Sequence, residues 1–538
     1  MTTRPATPDV VILGGGLAGL TLALQLKQRL PDLDVLVLDR RRHPVPEAAH
    51  KVGESSVEIA AHYFGKVLGL AENLQRRQLK KFGFRFFFSD GAERIDSVTE
   101  LGASTFLATP SWQIDRGIFE NDLGAIVRER GVRFLDGATV RDFTVGDGAA
   151  PHRVRYEDAD GSHEVEARWL VDASGRAGLV KRKLGLAATN EHDANAVWFR
   201  IGARIDVDEW STDPAWLARC DPPKRWLSTN HLVGAGYWVW LIPLASGSHS
   251  VGIVADTKLH PLESMNTFEK AMAWLEKHQP RLHQDLQGKR ERLQDFAFSR
   301  RFSYGCTKVF DGHQRWALTG EAGLFLDPFY SPGGDFIAIS NTYITELVAL
   351  DRAGKRIGSY AEIYQRLYFS FYEAMLPIYS GQYGLFGDPE VLPAKVLWDY
   401  TYYWGVLCQL FFQGKLTDLA AIGRLQKPLA NAQALNVEMQ KFFRAWGECS
   451  EQRNRALMLD QASLPWLAEL NRGLADPLDD AAFRKRMETT FRQLATLAAQ
   501  IVTRAREEHP GLDASAVLAL VDADARREQA SMLFPAAS

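Results

Sequence analysis

Three glycines and one acid near the N-terminus have the spacing of a phosphate-binding turn. Gly14, Gly16 and Gly19 separate the apolar run DVVIL from the helical run GLTLALQLKQRL. In such a turn the first glycine allows a tight bend, the second lets the backbone approach a pyrophosphate, and the third lets helix pack on strand. The helix N-terminus stabilises the phosphate charge. Asp39, at the end of the next apolar run, would accept a hydrogen bond from a ribose hydroxyl. This segment therefore predicts a dinucleotide site.

Two lysines and two tryptophans are the next candidates for chemistry. Lys80 and Lys81 precede the strand-like run FGFRFFF, where alternation would put Gly83 and Arg85 on the same face as Lys81 and Lys80 on the other. A buried ammonium can have a depressed pKa and react as an amine. Edge lysines are also common on protein surfaces, so the residues alone leave both interpretations open.

The stretch YWVWLIP, Tyr237–Pro243, reads as a strand with both indoles on one face. Trp238 and Trp240 would point one way, and Tyr237, Val239 and Leu241 the other. In an isolated strand, core packing would be the better explanation of such a face. The role of the two indoles therefore has to be inferred from the other motifs of the chain.

The bulk composition excludes several classes of function. The chain has 538 residues, 24% of them charged, and a net charge of −3, which gives no electrostatic case for nucleic acid or an anionic membrane. Its four cysteines are far apart, which favours a reducing compartment. No apolar run is long enough for a membrane span. We therefore expect a cytoplasmic protein with no membrane span and no metal site.

The elements that position these residues are mixed. The first forty residues predict a βαβ unit. VRFLDGATVRDFTV and HRVRYEDADGSHEVEARWLVDASG alternate as an antiparallel meander does, and AVWFRIGARIDVD, NHLVGAGYWVWLIPL and SHSVGIVAD predict a second sheet. RWALTGEAG predicts a strand and turn, followed by a helix from about Asp335, and the chain is helical from about Ser359. A nucleotide-binding part is thus assembled from distant pieces around an inserted sheet.

Three later segments resemble elements of the glutathione-reductase-type FAD fold and of flavoprotein monooxygenases: WQIDRGIFENDL, VDASGRAG and RWALTGEAGLFLDPFYSPGG. This resemblance implies an α/β, Rossmann-like fold that binds FAD. That family usually has aspartate where this chain has Glu321. A single GxGxxG leaves no stable NAD(P)H site, so a separate flavin reductase is expected to supply FADH2. The implied cofactor contacts here are Gly14, Gly16, Leu17, Ala18, Gly19, Asp39, Arg40, Arg116, Asp172, Gly320, Glu321 and Pro328.

Two motifs narrow the reaction. KVGES, residues 51–55, and WVWLIP, residues 238–243, resemble signatures of the flavin-dependent halogenases. In that family FADH2 and O2 form a flavin hydroperoxide, halide gives hypohalous acid, and a lysine beside the substrate receives it. The pattern Lys-x-Gly-Phe gives that role to Lys81. The resemblance also implies that Trp238 and Trp240 keep organic substrate away from the flavin. Flavin contacts implied by the first motif are Val52, Gly53, Glu54 and Ser55.

The segment DPFYSPGGDFIA, residues 327–338, is similar to the halide-binding turn of that family. Gly333 and Gly334 would contact flavin and hold chloride or bromide through backbone N–H groups. Asp335 either caps the following helix or opposes anion binding. Tyr330 stands where tryptophan halogenases have a glutamate, which implies a phenol- or pyrrole-type substrate, free or tethered to a carrier protein.

The expected organisation interleaves two domains. FAD-binding pieces are predicted at 1–81, 112–187 and 306–355, substrate-domain strands at 82–111, an inserted β-sheet domain at 188–305, and a helical region covering the substrate pocket at 356–538. The protein is expected to be a monomer or a homodimer. Two alternatives remain: an FAD monooxygenase or oxidoreductase that does not halogenate, and a non-catalytic flavin-binding protein.

Overall fold

The structure, a computed structural model, describes residues 7–48, 52–148, 150–528 and 530–535. The strands in chain order are β1 Val10–Leu13, β2 Val35–Asp39, β3 Leu79–Lys80, β4 Phe84–Phe87, β5 Glu100–Gly102, β6 Trp112–Gln113, β7 Arg133–Asp136, β8 Thr139–Thr144, β9 His152–Asp158, β10 Gly161–Ala167, β11 Trp169–Asp172, β12 Ala187–Ala188, β13 Ala194–Ile201, β14 Thr229–Gly234, β15 Tyr237–Pro243, β16 His249–Asp256, β17 Leu293–Ser299, β18 Gly305–Cys306, β19 Phe310–Asp311, β20 Trp316–Leu318 and β21 Met458–Asp460. The α-helices are α1 Leu17–Arg29, α2 Glu58–His62, α3 Ala71–Arg77, α4 Arg116–Glu129, α5 Leu179–Lys183, α6 Pro214–Ala218, α7 Phe268–His278, α8 Pro280–Gln287, α9 Gly333–Arg352, α10 Gly358–Met375, α11 Val391–Tyr402, α12 Gln409–Phe412, α13 Leu419–Gly447, α14 Pro465–Arg472, α15 Asp480–Glu508 and α16 Ser515–Ala519.

The chain forms two compact units, each built from three separate segments. The first unit contains Met1–Gln78, Ile114–Glu191 and Ser303–Tyr372, and the second contains Leu79–Gln113, His192–Phe302 and Glu373–Ser538. This division moves each expected boundary, and two of the changes transfer residues of interest from one domain to the other. Lys81 belongs to the second unit, where the adjacent β3 pairs with β6, and the helical residues up to Tyr372 belong to the first.

A mainly parallel sheet forms the centre of the first unit, in the order β19-β20-β11-β1-β2-β7. Strand β1 lies between β2 and β11 and is fully buried, as expected of a parallel strand covered on both faces. Helix α1 packs against α4 and α9. The Rossmann-like prediction is therefore confirmed.

The predicted meander is only partly correct. Strands β8, β9 and β10 form it, but β7 and β11 join the parallel sheet instead. An Asp-Gly turn connects β7 to β8 just as one connects β9 to β10, so the turn does not show that β7 leaves the meander. Strand β11 is buried along its whole length, so it pairs with β1 rather than with a half-exposed hairpin.

An eight-stranded, mostly antiparallel sheet forms the second unit, in the order β17-β13-β16-β15-β14-β4-β5-β21. One face of the sheet packs on helices α7 and α8 to form a hydrophobic core. From β15, this core takes Tyr237, Val239 and Leu241. The predicted alternation of YWVWLIP is confirmed, and the two tryptophans lie on the opposite face.

The C-terminal helices complete the second unit, and the predicted helical character of this region is confirmed. Two tyrosines of α10, which begins in the first unit, pack into that unit instead. Tyr364 stacks on Tyr343 with ring centroids 4.8 Å apart, and Tyr368 packs beside Phe310 and Phe336, all inside the first unit. Among the described residues, no helix is both long enough and apolar enough to cross a membrane.

Candidate functional site

The glycine turn of the first unit is shaped by close backbone contacts. Gly14 has φ +115°, and a Cβ there would lie 2.4 Å from the carbonyl oxygen of Ala173. A Cβ on Gly19 would lie 2.0 Å from the carbonyl oxygen of Gly14. At Gly16 the nearest side-chain atom to such a Cβ is 3.8 Å away, on Arg41. Two of the glycines therefore permit packing, and the third leaves space at the helix N-terminus.

That space has the chemistry of an anion site. Helix α1 begins after Gly16 with no side-chain cap and no acidic residue in its first turn. Its first N–H groups are thus available to a phosphate. The Asp39 carboxylate accepts the N–H of Gly15 and of Arg41, each at 2.8 Å, which fixes its position at the end of β2. These residues fit the pyrophosphate and ribose of a dinucleotide.

Arg116 connects two segments that the sequence assigned separately to the flavin. Its Nη1 donates to the carbonyl oxygen of Val52 at 2.8 Å, and its Nη2 donates to Glu120 Oε1 at 2.6 Å. Gly53 has φ +84°, and a Cβ there would lie 3.0 Å from the guanidinium. Burial lowers the pKa of Arg116 to about 10, although Glu321 and Glu54 oppose this shift. Lys51, the first residue of the KVGES motif, lies outside the described residues.

The predicted second acidic turn lies beside the start of α1. Gly320 has φ +59°, and a Cβ there would lie 3.0 Å from the Ala18 Cβ. The side chain of Glu321 accepts a hydrogen bond from Arg176 Nε at 3.0 Å, so the longer carboxylate has a partner of its own. Pro328 lies seven residues further, in the turn that leads to α9.

Asp172 is buried at the end of β11. Its carboxylate accepts the N–H of Ser174 at 2.9 Å and of Val180 at 2.7 Å. Burial raises its pKa despite these hydrogen bonds. The residue organises the VDASGRAG turn, and its cofactor contact stays a prediction.

The turn before α9 carries backbone strain. Tyr330 and Ser331 are consecutive non-glycine residues with φ of 64° and 55°, a conformation that costs about 1–3 kcal/mol for each residue. Such strain is concentrated at ligand sites. Gly333 is open, with the nearest atom 4.0 Å from a Cβ placed on it, whereas a Cβ on Gly334 would lie 2.7 Å from Ala60. Close packing against Ala60 therefore explains why residue 334 is glycine, whereas the space at Gly333 has room for an anion.

Asp335 does not cap its own helix. Helix α9 already begins at Gly333, without a side-chain cap, and the fully buried Asp335 side chain accepts the N–H of Ala60 at 2.9 Å. Ala60 lies in the first turn of α2, where backbone N–H groups have no partner inside the helix. The carboxylate is thus committed to joining two helices, which the sequence could not indicate because the two residues are 275 positions apart.

Lys81 is a nearly buried ammonium in the second unit. It follows β3 and precedes β4 in the chain, the residue is 3% exposed, and its Nζ is 3.4 Å from the centroid of the Phe84 ring. Lys80 is exposed, with Nζ 4.8 Å from the Phe106 ring. The predicted alternation is wrong here, because Gly83 has φ +81° and interrupts the extended chain. Lys81 accordingly lies against Phe84 and does not share the face of Arg85.

His231 is the site residue that the sequence analysis missed. Its ring centroid is 5.4 Å from that of Phe84, 4.6 Å from that of Phe86 and 5.4 Å from that of Trp238. Burial, and then the positive charge of Lys81, lower the pKa of His231 to about 3, so it is neutral. Pairing of β14 with β15 places it opposite Trp240. The sequence contains a signal for this position: if NHLVGAGYWVW is taken as two strands joined at Ala235-Gly236, His231 pairs with Trp240.

Trp238 and Trp240 complete a sheet face made of rings. Their centroids are 5.7 Å apart, and both indoles are almost fully buried. Trp238 Nε1 donates to the Tyr383 hydroxyl and Trp240 Nε1 donates to Ser250 Oγ, each at 3.1 Å. A Cβ on Gly252 would lie 2.1 Å from the Trp240 ring. We call Phe84, Phe86, His231, Trp238 and Trp240 the aromatic layer.

Comparison with known proteins agrees with this geometry. Residues 7–268 match the family described as FAD binding domain. The chain is 28% identical over 375 residues to a flavin-dependent halogenase of Dictyostelium discoideum, covering 63% of this chain and 60% of that protein. It is 29% identical over 336 residues to a 1H-pyrrole-2-carbonyl-(peptidyl-carrier protein) brominase of Pseudoalteromonas luteoviolacea, covering 61% and 74%. The resemblance to flavin-dependent halogenases is confirmed.

Other relatives extend this resemblance. A tetracycline 7-halogenase of Kitasatospora aureofaciens is 27% identical over 371 residues, which cover 62% of this chain. The matched region spans only about three fifths of the Dictyostelium and Kitasatospora halogenases, 60% and 61% of their lengths. The fold also matches halogenase PltM, with a TM-score of 0.67 and 18% identity, over 89% of this chain and 99% of that one. Brominase Bmp2 matches with a TM-score of 0.55 and 19% identity, over 91% and 100%. The FAD-binding domain match over residues 7–268 confirms the expected FAD cofactor.

Proposed function

We propose that this protein is an FADH2- and O2-dependent halogenase that chlorinates or brominates an electron-rich aromatic such as a phenol or pyrrole. The observation that carries the proposal is the nearly buried Lys81 ammonium on the Phe84 ring. The exposed Lys80 also lies over a ring, but at 4.8 Å, so burial and the closer approach distinguish Lys81 from a surface lysine. The halogenase relatives and the FAD-binding match support the same reaction class.

The first unit would hold the cofactor and halide. The open N-terminus of α1 at Gly16 would bind the pyrophosphate, and Asp39 the ribose. Gly333, at the strained turn, would donate its N–H to halide. Bound as FADH2, the flavin would react with O2 and halide to supply hypohalous acid. A separate flavin reductase would supply the FADH2, because a single GxGxxG leaves this chain without a stable NAD(P)H site of its own.

Lys81 would orient the hypohalous acid. An ammonium over a ring is stabilised in its charged form, so Lys81 would act by donating a hydrogen bond to the oxygen of the acid. The aromatic carbon would then form its bond to halogen as the halogen–oxygen bond breaks. The leaving hydroxide would take a proton from Lys81 and become water, and the proton lost by the ring would restore the charge of Lys81. Because His231 is neutral, the positive charge beside the aromatic layer would come from Lys81.

Two further parts of the proposal concern the role of the two tryptophans and the class of substrate. Trp238 and Trp240 are held by hydrogen bonds and by Gly252, so they form a rigid wall. Their proposed role is to keep organic substrate from direct oxygenation. Tyr330 in place of an acid leaves ring deprotonation unassisted, which suits an activated ring and not tryptophan.

The test is turnover with a flavin reductase, NADH, O2, chloride or bromide, and a panel of phenols, pyrroles and indoles. We expect halogenated phenol or pyrrole, and a loss of roughly 10²–10⁴-fold in rate for Lys81→Ala. Lys80→Ala is the matched control and should stay within about twofold, because Lys80 is exposed. FAD affinity should not change in either variant.

Two results would contradict this proposal. Full halogenation by Lys81→Ala would remove the lysine role. Hydroxylated product without halogenation would favour the FAD monooxygenase alternative, for which the buried Asp335 carboxylate next to the open Gly333 is the specific structural argument.

A further inference from the structure

The two tryptophans of the aromatic layer are held from different parts of the second unit. Trp240 is held inside the sheet, because its Nε1 donates to Ser250 Oγ at 3.1 Å and its ring lies against Gly252, both on the neighbouring strand β16. Trp238 Nε1 donates instead to the hydroxyl of Tyr383, also at 3.1 Å, and Tyr383 lies 145 positions further along the chain. The sheet thus fixes one indole, and the C-terminal helical region contributes to fixing the other.

The segment that carries Tyr383 is docked on the turn before β15. Tyr383 begins a short 3₁₀-helix, Tyr383–Leu385, and its carbonyl oxygen accepts the N–H of Gly236 at 3.0 Å. A Cβ on Gly387 would lie 2.6 Å from the backbone nitrogen of Ala235, so the two stretches of chain touch at backbone distance. The hairpin of β14 and β15 is therefore joined to this segment by its backbone as well as by an indole.

The same segment is anchored to helix α13. Gln382 is fully buried, and its Nε2 donates to the carbonyl oxygen of Gln440 in α13 at 3.1 Å. The Tyr383 ring is buried too, with its centroid 5.3 Å from that of His192 and 4.6 Å from that of Phe386. Packing on several elements therefore sets the position of the Tyr383 hydroxyl, independently of its hydrogen bond to the indole.

We propose that Tyr383 is a positioning residue for halogenation, whose hydroxyl holds the Trp238 indole in the orientation that completes the wall formed by the two tryptophans. This inference rests on the proposed function, in which Trp238 and Trp240 keep organic substrate from direct oxygenation. Removal of the hydroxyl removes a hydrogen bond that orients the indole, so other rotamers of Trp238 become populated. The C-terminal helical region thereby controls how exclusively the enzyme halogenates.

The contact itself is tested by fluorine NMR of the full chain, labelled with fluorotryptophan and bound to FAD. The Trp238 resonance is assigned by its absence in Trp238→Phe. Tyr383→Phe keeps the ring and removes only the hydroxyl, so it should move or split this resonance. Tyr402→Phe is the matched control and should leave the resonance in place, because Tyr402 is also buried and burial alone raises the pKa of its hydroxyl, with no contribution from a hydrogen bond.

The consequence for the reaction is measured as the ratio of hydroxylated to halogenated phenol, with the flavin reductase, NADH, O2 and halide of the turnover assay. Tyr383→Phe should raise this ratio by roughly two- to tenfold, the factor that corresponds to one neutral hydrogen bond. The KM for the phenol and the FAD affinity should stay within about twofold of the wild type. Tyr402→Phe should leave the ratio unchanged.

A double variant tests whether Tyr383 acts through Trp238. Trp238→Phe should raise the ratio by itself, and adding Tyr383→Phe to it should change the ratio by less than about twofold, because the hydrogen bond is already absent. Equal effects of Tyr383→Phe with and without Trp238 would overturn the proposal. A merely structural role for Tyr383 would lower both products together and leave their ratio unchanged, and this result would overturn it as well.

Failure of the proposed function gives a different result. A wild-type protein that makes no halogenated product would overturn the proposed function and this inference with it. Halogenation by the wild type, together with a Trp238 resonance of unchanged position and width in Tyr383→Phe, would overturn this inference alone.

Discussion

The glycine turn of the first unit and the aromatic layer of the second are encoded in different ways. The turn is a matter of backbone approach: a Cβ at Gly19 or Gly14 would overlap a carbonyl oxygen at 2.0 or 2.4 Å. The aromatic layer is a matter of side chains from three strands, β4, β14 and β15, meeting on one sheet face. A local spacing specifies the turn, while only strand pairing assembles the layer. The two regions should therefore fail differently when altered.

The largest stability effect is expected beneath the aromatic layer. Glu100 is fully buried and pairs with Arg85 and with Arg225, whose Nε is 2.8 Å away. Burial would lower the pKa of Arg225, but Glu100 and Asp208 raise it. Glu100→Gln leaves two buried guanidinium groups undercompensated and should lower the free energy of unfolding by about 3–5 kcal/mol, measured by urea denaturation.

The control for this change is a surface pair of the first unit. Arg153 and Glu166 are 2.9 Å apart, with side chains 62% and 37% exposed. Glu166→Gln should change the free energy of unfolding by less than about 0.5 kcal/mol. A loss below about 1 kcal/mol for Glu100→Gln would show that the buried charges do not hold the sheet of the layer together.

A pair of alanine variants separates packing from binding in the glycine turn. Gly19→Ala forces a Cβ onto a backbone oxygen and should cost about 1–3 kcal/mol of stability without FAD. Gly16 has φ −88°, which alanine adopts freely, and no atom closer than 3.8 Å. Gly16→Ala should keep its stability and lose FAD affinity, by roughly tenfold, in a fluorescence titration. Equal FAD affinity of Gly16→Ala and the wild type would refute the phosphate role.

The smallest effect, taken per pH unit, is a pH dependence in the aromatic layer. The pKa of His231 is about 3 in the folded protein, below its ordinary 6.5, so the unfolded chain binds more protons between these values. Stability should fall as the pH decreases from about 6.5, by about 1.4 kcal/mol per pH unit from this residue. His249, whose pKa burial also lowers to about 3, adds a similar slope.

Urea denaturation at several pH values measures this slope. His231→Gln should reduce it between pH 6.5 and 5, whereas His313→Gln, at an exposed position, should leave it unchanged. An identical slope in His231→Gln and the wild type would mean that the imidazole is not kept neutral. Lys81→Met should end the slope at a higher pH, because the lysine charge lowers the pKa of His231 in the folded protein.

Prediction from sequence succeeded where a feature was local. GxGxxG with Asp39, and the alternation of YWVWLIP, needed only spacing and the geometry of helix or strand, and both are confirmed in the fold. It failed to predict which strand face Lys81 shares, because Gly83, with its positive φ, breaks the alternation between Lys81 and Arg85. It also failed at β7 and β11, which join the parallel sheet: β11 is buried along its whole length, and β7 pairs with β2 although an Asp-Gly turn connects it to β8.

The sequence by itself determined the glycine turn after β1, the strand that bears the two tryptophans and the resemblance to flavin-dependent halogenases. Those features depend on residue types at fixed short separations. Only the tertiary structure decided that Lys81 lies on Phe84 next to a neutral His231, that Asp335 holds Ala60, and that the Tyr383 hydroxyl holds the Trp238 indole. These contacts join residues far apart in the chain, and burial changes their charges only after the sheet has formed.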